Sequence, residues 1–171
     1  MQKFLLSILS PLLMTATFSS YSYSQISPIS NKQFSELKFD TSKTAIIELK
    51  SPLNWIFDST YKPSKLIQTE LSIIDSLLII AVNDFNSWQE KNNSDHPWNI
   101  DLKSRNYRKQ IVAVINKQGE KEVWVNCFCS SGFVNWKSKP VIVDDGATCF
   151  FNFKINLNKY SYYSFLVNSA A

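Results

Sequence analysis

PSKLIQTELSIIDSLLIIAVNDFNSWQEKN, residues 63–92, is the segment on which the architecture turns. Ile67, Leu71, Ile74, Leu78, Ala81, Phe85 and Trp88 recur at spacings of three and four, which places them on one face of a helix. Leu66, Ile73 and Ile80 add a second stripe at spacing seven. The apolar arc is therefore wide, as suits a helix lying in the concavity of a curved sheet. Glu70, Asp75, Asp84 and Glu90 are expected to keep the opposite side wet. Pro63 and Ser64 supply start signals, and Asn92-Asn93-Ser94 stops the pattern.

Everything downstream reads as β-structure. Gln110 to Asn116 alternates Ile111, Ala113 and Ile115 against Val112 and Val114. Asn116-Lys117-Gln118-Gly119-Glu120 is a hairpin connection, with Gly119 available for positive φ. Glu122 to Cys129 returns, with Val123, Val125, Cys127 and Cys129 on one face and Trp124, Asn126 and Phe128 on the other. Val141 to Val143 is a short extended run that leads into a turn at Asp144-Asp145-Gly146. Thr148 to Leu157 then places Cys149, Phe151, Phe153, Ile155 and Leu157 on one face, and Phe150, Asn152, Lys154 and Asn156 on the other. Asn158-Lys159 turns the chain into Tyr162 to Asn168, where Tyr163, Phe165 and Val167 alternate.

Upstream, Thr44 to Leu49 has the β-branched content of a short strand, closed by Ser51-Pro52. A connector with Trp55, Ile56 and Phe57 is expected to fold onto the core. Residues 25–43 mix Ser, Pro, Asn and Lys with isolated apolar positions and read as a loosely held arm. Residues 1–24 open with Met1-Gln2-Lys3, run through the apolar stretch Phe4 to Phe18 and end in small polar residues. That pattern is the one a secretory signal peptide shows, with removal near Gln25. The expected organisation is thus a signal peptide over 1–24, an arm over 25–43 and a single domain over 44–171. The expected location is periplasmic or extracellular, with no stable membrane anchor after signal removal.

A long helix followed by an antiparallel meander gives an α+β fold, one helix packed on a curved antiparallel sheet of four to five strands. This element order resembles the cystatin-like fold. Cystatin inhibitors present a Gln-x-Val-x-Gly wedge in the first hairpin, whereas that hairpin here reads Asn116-Lys117-Gln118-Gly119-Glu120 and lacks it. A second resemblance covers Tyr107 to Ala171. Its runs Tyr-Arg-Lys-Gln (107–110), Val-Ile-Asn-Lys (114–117), Val-Asn-Cys-Phe-Cys (125–129), Asp-Asp-Gly (144–146) and Cys-Phe-Phe-Asn-Phe-Lys-Ile-Asn-Leu (149–157) are similar to the C-terminal half of small secreted bacterial proteins without an assigned activity.

Composition excludes several functions. Past residue 24 the chain carries 17 Lys and Arg against 14 Asp and Glu. This mild positive balance, without blocks of like charge, argues against nucleic acid as a partner. The densest basic stretch, Lys103 to Lys109, reads as a solvated edge beside a strand. Three glycines in the whole chain leave no room for a phosphate-cradling loop. His96 is the only histidine, and no Ser stands in a Gly-x-Ser-x-Gly elbow, so nucleophilic acyl chemistry has no motif. Neither catalytic residues, a metal nor a cofactor is assigned. A zinc site from Cys127, Cys129 and Cys149 would need His96 as fourth ligand.

In an exported chain thiols tend to pair, so Cys149 is expected to bond either Cys127 or Cys129, leaving one over. Cys127 and Cys129 are poorly placed to bond each other, because same-face neighbours on a strand lie about 6.5 to 7 Å apart. The alternative is that all three stay reduced as small core residues.

The remaining feature is the face opposite the helix. Trp124, Asn126, Phe128, Phe150 and Asn152 share it, with Trp136 in the adjoining loop. If open, it would mark a binding surface for a protein, peptide or glycan. Otherwise residues 44–57 or a second copy in a homodimer would cover it. Two functions follow. One is an exported, non-enzymatic binding module. The other is a small exported enzyme, such as a hydrolase, with a site between helix and sheet, where Phe85, Phe151, Phe153 and Phe165 already claim the space.

Overall fold

The computed structural model describes residues 40–49, 55–92, 95, 98–130 and 132–169. The signal-peptide reading of 1–24, most of the arm and His96 lie outside the described residues. In chain order the elements are β1 (Thr44–Ile46), β2 (Lys62–Pro63), α1 (Gln68–Asn92), β3 (Arg108–Ile115), β4 (Lys121–Phe128), a 3-10 turn (Ala147–Cys149), β5 (Phe150–Asn156) and β6 (Ser161–Val167). The fold is α+β, with one helix and an open six-stranded sheet ordered β1-β3-β4-β5-β6, β2 also pairing with β3.

The sheet is mixed rather than antiparallel. β1 runs parallel to β3, with Ala45 opposite Gln110. A parallel neighbour needs a long crossover, and the chain between them, helix included, supplies it. β2 is antiparallel to β3, Pro63 lying opposite Val114. Pro63 therefore belongs to the sheet and does not start the helix. The start lies further on, where the Glu70 carboxylate accepts a hydrogen bond from Ile67 N (2.9 Å), the reciprocal half of a capping box.

β3 to β6 form the antiparallel meander read from the alternation. At the first hairpin Gly119 takes φ 79°, and the Asn116 side-chain oxygen accepts from Gln118 N (3.0 Å) and Glu120 N (2.9 Å). Ile111, Ala113, Val123, Val125, Cys127, Phe151, Phe153 and Ile155 face the helix and pack on Leu71, Ile74, Leu77, Leu78, Ala81 and Val82. Phe165 stacks on Phe85 (5.4 Å between ring centroids) and on Phe151 (5.6 Å), so aromatic rings fill the space between helix and sheet. Ile100 caps that core, held by reciprocal hydrogen bonds of its backbone with the Asn86 amide (2.8 and 2.9 Å).

Three sequence expectations are corrected. In β6 the register slips opposite Phe153, where Ser164 sits at φ 51° as an extra residue. This bulge flips the phase, so Tyr162 rather than Tyr163 faces the core with Phe165 and Val167. Three acidic residues of the helix reach the sheet instead of staying wet. Asp75 pairs with Lys109, Glu70 with Lys121 (2.6 Å), and Asp84 accepts from the Tyr162 hydroxyl (2.7 Å). Val141 to Val143 forms no strand and belongs to a strap described below.

Candidate functional site

The face opposite the helix is assembled from four rows set by the register. Arg108, Phe128 and Phe150 form the first, and Gln110, Asn126, Asn152 and Leu166 the second. Val112, Trp124, Lys154 and Tyr163 form the third. Val114, Glu122, Asn156 and Ser161 complete it. The residues expected to share this face thus do so, and Trp136 joins them with its ring 5.7 Å from Phe128. The chain itself covers much of the face, and Trp124, Asn126 and Phe128 are buried. Trp136, Phe150 and Asn152 are only half-buried.

Two covers do this. Over the third and fourth rows, Ile47, Ile56 and Phe57 are buried against Val112, Val114 and Trp124, with Leu49 and Tyr61 packed beside them. Trp55 stands edge-on to Trp124 at 5.5 Å. The second cover is the strap of residues 132–143, which crosses the first and second rows. Phe133 packs edge-on against Phe128 (5.6 Å) and Phe150 (5.9 Å).

Buried amides hold the strap down. Gln110, wholly buried in the second row, accepts from Val141 N (2.8 Å) and from the Asn126 amide (3.1 Å). Its own amide donates to the carbonyl oxygens of Lys139 (2.7 Å) and Trp136. The Asn126 amide also donates to Val141 O (2.8 Å), and the Asn168 amide to Val143 O (2.6 Å). Backbone groups turned onto a sheet without strand partners have to find their hydrogen bonds in side chains, and this amide row provides them for Trp136, Lys139, Val141 and Val143. Sequence reasoning missed Gln110. The available signal was a polar residue in phase with Val112 and Val114.

A disulfide joins Cys129 to Cys149, with Cα atoms 5.1 Å apart, and so fixes the strap where it leaves β4. Of the two partners left open by sequence, Cys129 is the one that bonds. Neither sulfur points into the helix-facing core as alternation suggested, because β4 ends at Phe128 and Cys149 lies in the 3-10 turn. The turn is entered through Gly146 at φ 99°, where a Cβ would overlap the Phe150 ring. Cys127 is the free, buried thiol, and burial pushes it up to about 12. With two of three sulfurs consumed, the Cys-x-Cys zinc arrangement is gone, and among the described residues no three His, Cys, Asp or Glu gather as metal ligands.

At the hairpin end Glu122 is a buried carboxylate that accepts from the Asn116 amide (2.7 Å) and the Tyr163 hydroxyl. Desolvation, then the negative charges of Glu122 and Asp58, raise the Tyr61 hydroxyl above its usual range. Lys154 places its ammonium 4.7 Å over the Phe57 ring. Burial lowers its affinity for a proton, against the opposing pull of Glu122 and Asp58. Among the described residues no carboxylate is within ion-pairing distance of it.

The covers reach β5, where Phe57 lies over Lys154 and Phe133 against Phe150, but they leave Leu166 of β6 exposed. Between them remains a strip floored by Asn152 and Lys154, with Leu166 60% exposed on one border and Trp55 54% exposed on the other. It offers an amide, an ammonium and two apolar borders. No protein-family model, curated protein or solved structure matches this chain. Among the described residues no helix is long and apolar enough to cross a membrane.

Proposed function

We propose that this chain is an exported, non-enzymatic binding module that holds a peptide or protein segment on the strip between Trp55 and Leu166. The observation that carries the reading is the incompleteness of the covers. A chain that buries Trp124 and Phe128 under two segments of its own leaves Leu166 and Trp55 more than half exposed beside the Lys154 ammonium, which feels Glu122 and Asp58 but, among the described residues, ion-pairs with neither. The ligand this suits has an aliphatic or aromatic group for the borders and a carboxylate for Lys154. Export is supported by the charged, apolar and then small-residue run over 1–24 and by the disulfide between Cys129 and Cys149. The helix in front of an antiparallel β3–β6 run supports a cystatin-like plan, from which the parallel β1 departs. An enzyme site between helix and sheet has less support, because the Phe85, Phe151, Phe153 and Phe165 rings take up that space.

Panning a displayed library of short random peptides against the purified protein tests the reading. It should enrich sequences combining an acidic with an apolar side chain, and these should lose binding to Leu166→Asp and to Lys154→Glu while circular dichroism stays unchanged. Enriched peptides that bind the wild type and both variants equally, or no enrichment at all, would overturn it.

A further inference from the structure

The strap has a second property that the binding strip does not use. Its tip carries Val134 at 85% exposure, the most exposed large apolar residue among the described residues. That exposure is built in. Asn135 takes φ 62°, and its carbonyl accepts from Ser138 N (2.9 Å) and Lys139 N (3.0 Å), closing a tight turn that pushes the preceding residue outward. The turn is anchored on both sides, by the Cys129–Cys149 disulfide before it and by the Gln110 amide on the carbonyl oxygens of Trp136 and Lys139 after it. A loop held this firmly presents its apolar tip at a fixed place and cannot fold it back.

Cations follow the tip along the strap. Arg108 and Lys137 lie 5.3 and 5.6 Å from the centroid of the half-buried Trp136 ring, and Lys139, two residues beyond Lys137, is exposed. From Ser130 to Val143 the sequence has no acidic residue. An apolar side chain at the apex, a tryptophan two residues behind it and cations at Arg108, Lys137 and Lys139 match the depth profile of an anionic bilayer. Acyl chains take the apolar tip, the interface takes the indole, and the headgroups face the cations. An acidic polysaccharide or nucleic acid would use the cations but would leave Val134 in water, so the exposed valine separates the two classes.

We infer that the strap tip at Val134, with Trp136, Lys137, Lys139 and Arg108, is a peripheral docking site for anionic membrane surfaces. The docking is reversible, because a single valine and one indole bury too little to anchor the protein permanently.

Co-sedimentation of the purified protein with vesicles of phosphatidylcholine alone, or of phosphatidylcholine mixed with phosphatidylglycerol, is the test. The wild type should sediment with the mixed vesicles and stay in solution with the neutral ones, and salt should weaken binding. Lys137→Gln and Lys139→Gln should each lower the partition coefficient about fivefold. Val134→Ser should lower it about tenfold. That side chain is already in solvent, so the variant folds, as circular dichroism will verify. Wild-type protein that binds neither vesicle, or both equally, overturns the inference. So does a Val134→Ser variant that partitions like the wild type, which would mark the cations as a site for soluble polyanions.

Discussion

Replacing Gln110 with methionine keeps the length and volume of the side chain but deletes three hydrogen bonds that tie the strap to the sheet and a fourth to the Asn126 amide beside it. The losses are unequal. Val141 N is buried and has no second acceptor, so it bears the full cost of an unmade bond, about 1 to 3 kcal/mol. The Asn126 amide keeps Val141 O as partner and loses less. The carbonyl oxygens of Trp136 and Lys139 belong to half-buried and exposed residues and can recover water. The expected sum is about 2 to 4 kcal/mol, against a typical domain stability of about 5 to 15. The protein should therefore stay folded at room temperature with its strap loosened. Urea unfolding gives the total, and hydrogen exchange at Val141 should rise in the native state. A double cycle with Asn126→Leu should show coupling of about 0.5 to 3 kcal/mol. A loss under about 1 kcal/mol, with exchange at Val141 unchanged, would refute the view that buried amides fasten the strap.

Removing the Cys129–Cys149 bond by Cys129→Ser together with Cys149→Ser should cost about 3 kcal/mol, from the 20-residue separation it spans. Thiol labelling of denatured, unreduced wild type should find one free thiol, Cys127. The Cys127 thiol is raised from its ordinary 9.0 to about 12, so its contribution is complete below pH 9 and is lost as pH climbs toward 12. Cys127→Val should consequently flatten the fall of stability across that window, as urea titrations at stepped pH would read, and an unchanged slope would contradict the assignment. Trp124→Glu should unfold the domain, since the ring is 3% exposed beneath Ile56 and Phe57; a folded variant by circular dichroism would mean that the first cover opens freely.

The meander was legible because each strand of β3 to β5 keeps its apolar period of two on the helix side, and the helix keeps its three-and-four spacing from Leu71 to Phe85. What escaped depends on partners distant in sequence. Nothing in Thr44 to Ile46 says that its neighbour will be parallel, since that follows from where the chain returns after the helix. Ser164 looks like any polar residue in an edge strand, and only the slip opposite Phe153 reveals the bulge. Glu70, Asp75 and Asp84 carry the pattern of a wet face because periodicity records charge and is blind to Lys121, Lys109 and Tyr162 waiting across the interface. Alternation puts Trp124, Phe128 and Phe150 on one face, and the sequence points to residues 44–57 as a cover but not to the strap, because the strap's fastening depends on Gln110 and Asn126.

The parallel pairing of β1 with β3 also sets the order in which the molecule assembles. β3 with β4 and β5 with β6 are joined by tight turns, and the strap joins β4 to β5, whereas Thr44 must find Lys109 about sixty-five residues further along the chain. Loop-closure entropy makes that contact late, so the meander and helix form first and the first cover docks last. Until it does, Val112, Val114 and Trp124 present a bare apolar surface. A chain that emerges N-terminus first holds the cover before the surface exists, and must keep it unspent until β4 has appeared. The hazardous species for this protein is therefore a nearly complete sheet with its lid still loose, and slowing the last docking step would favour aggregation without weakening the finished fold.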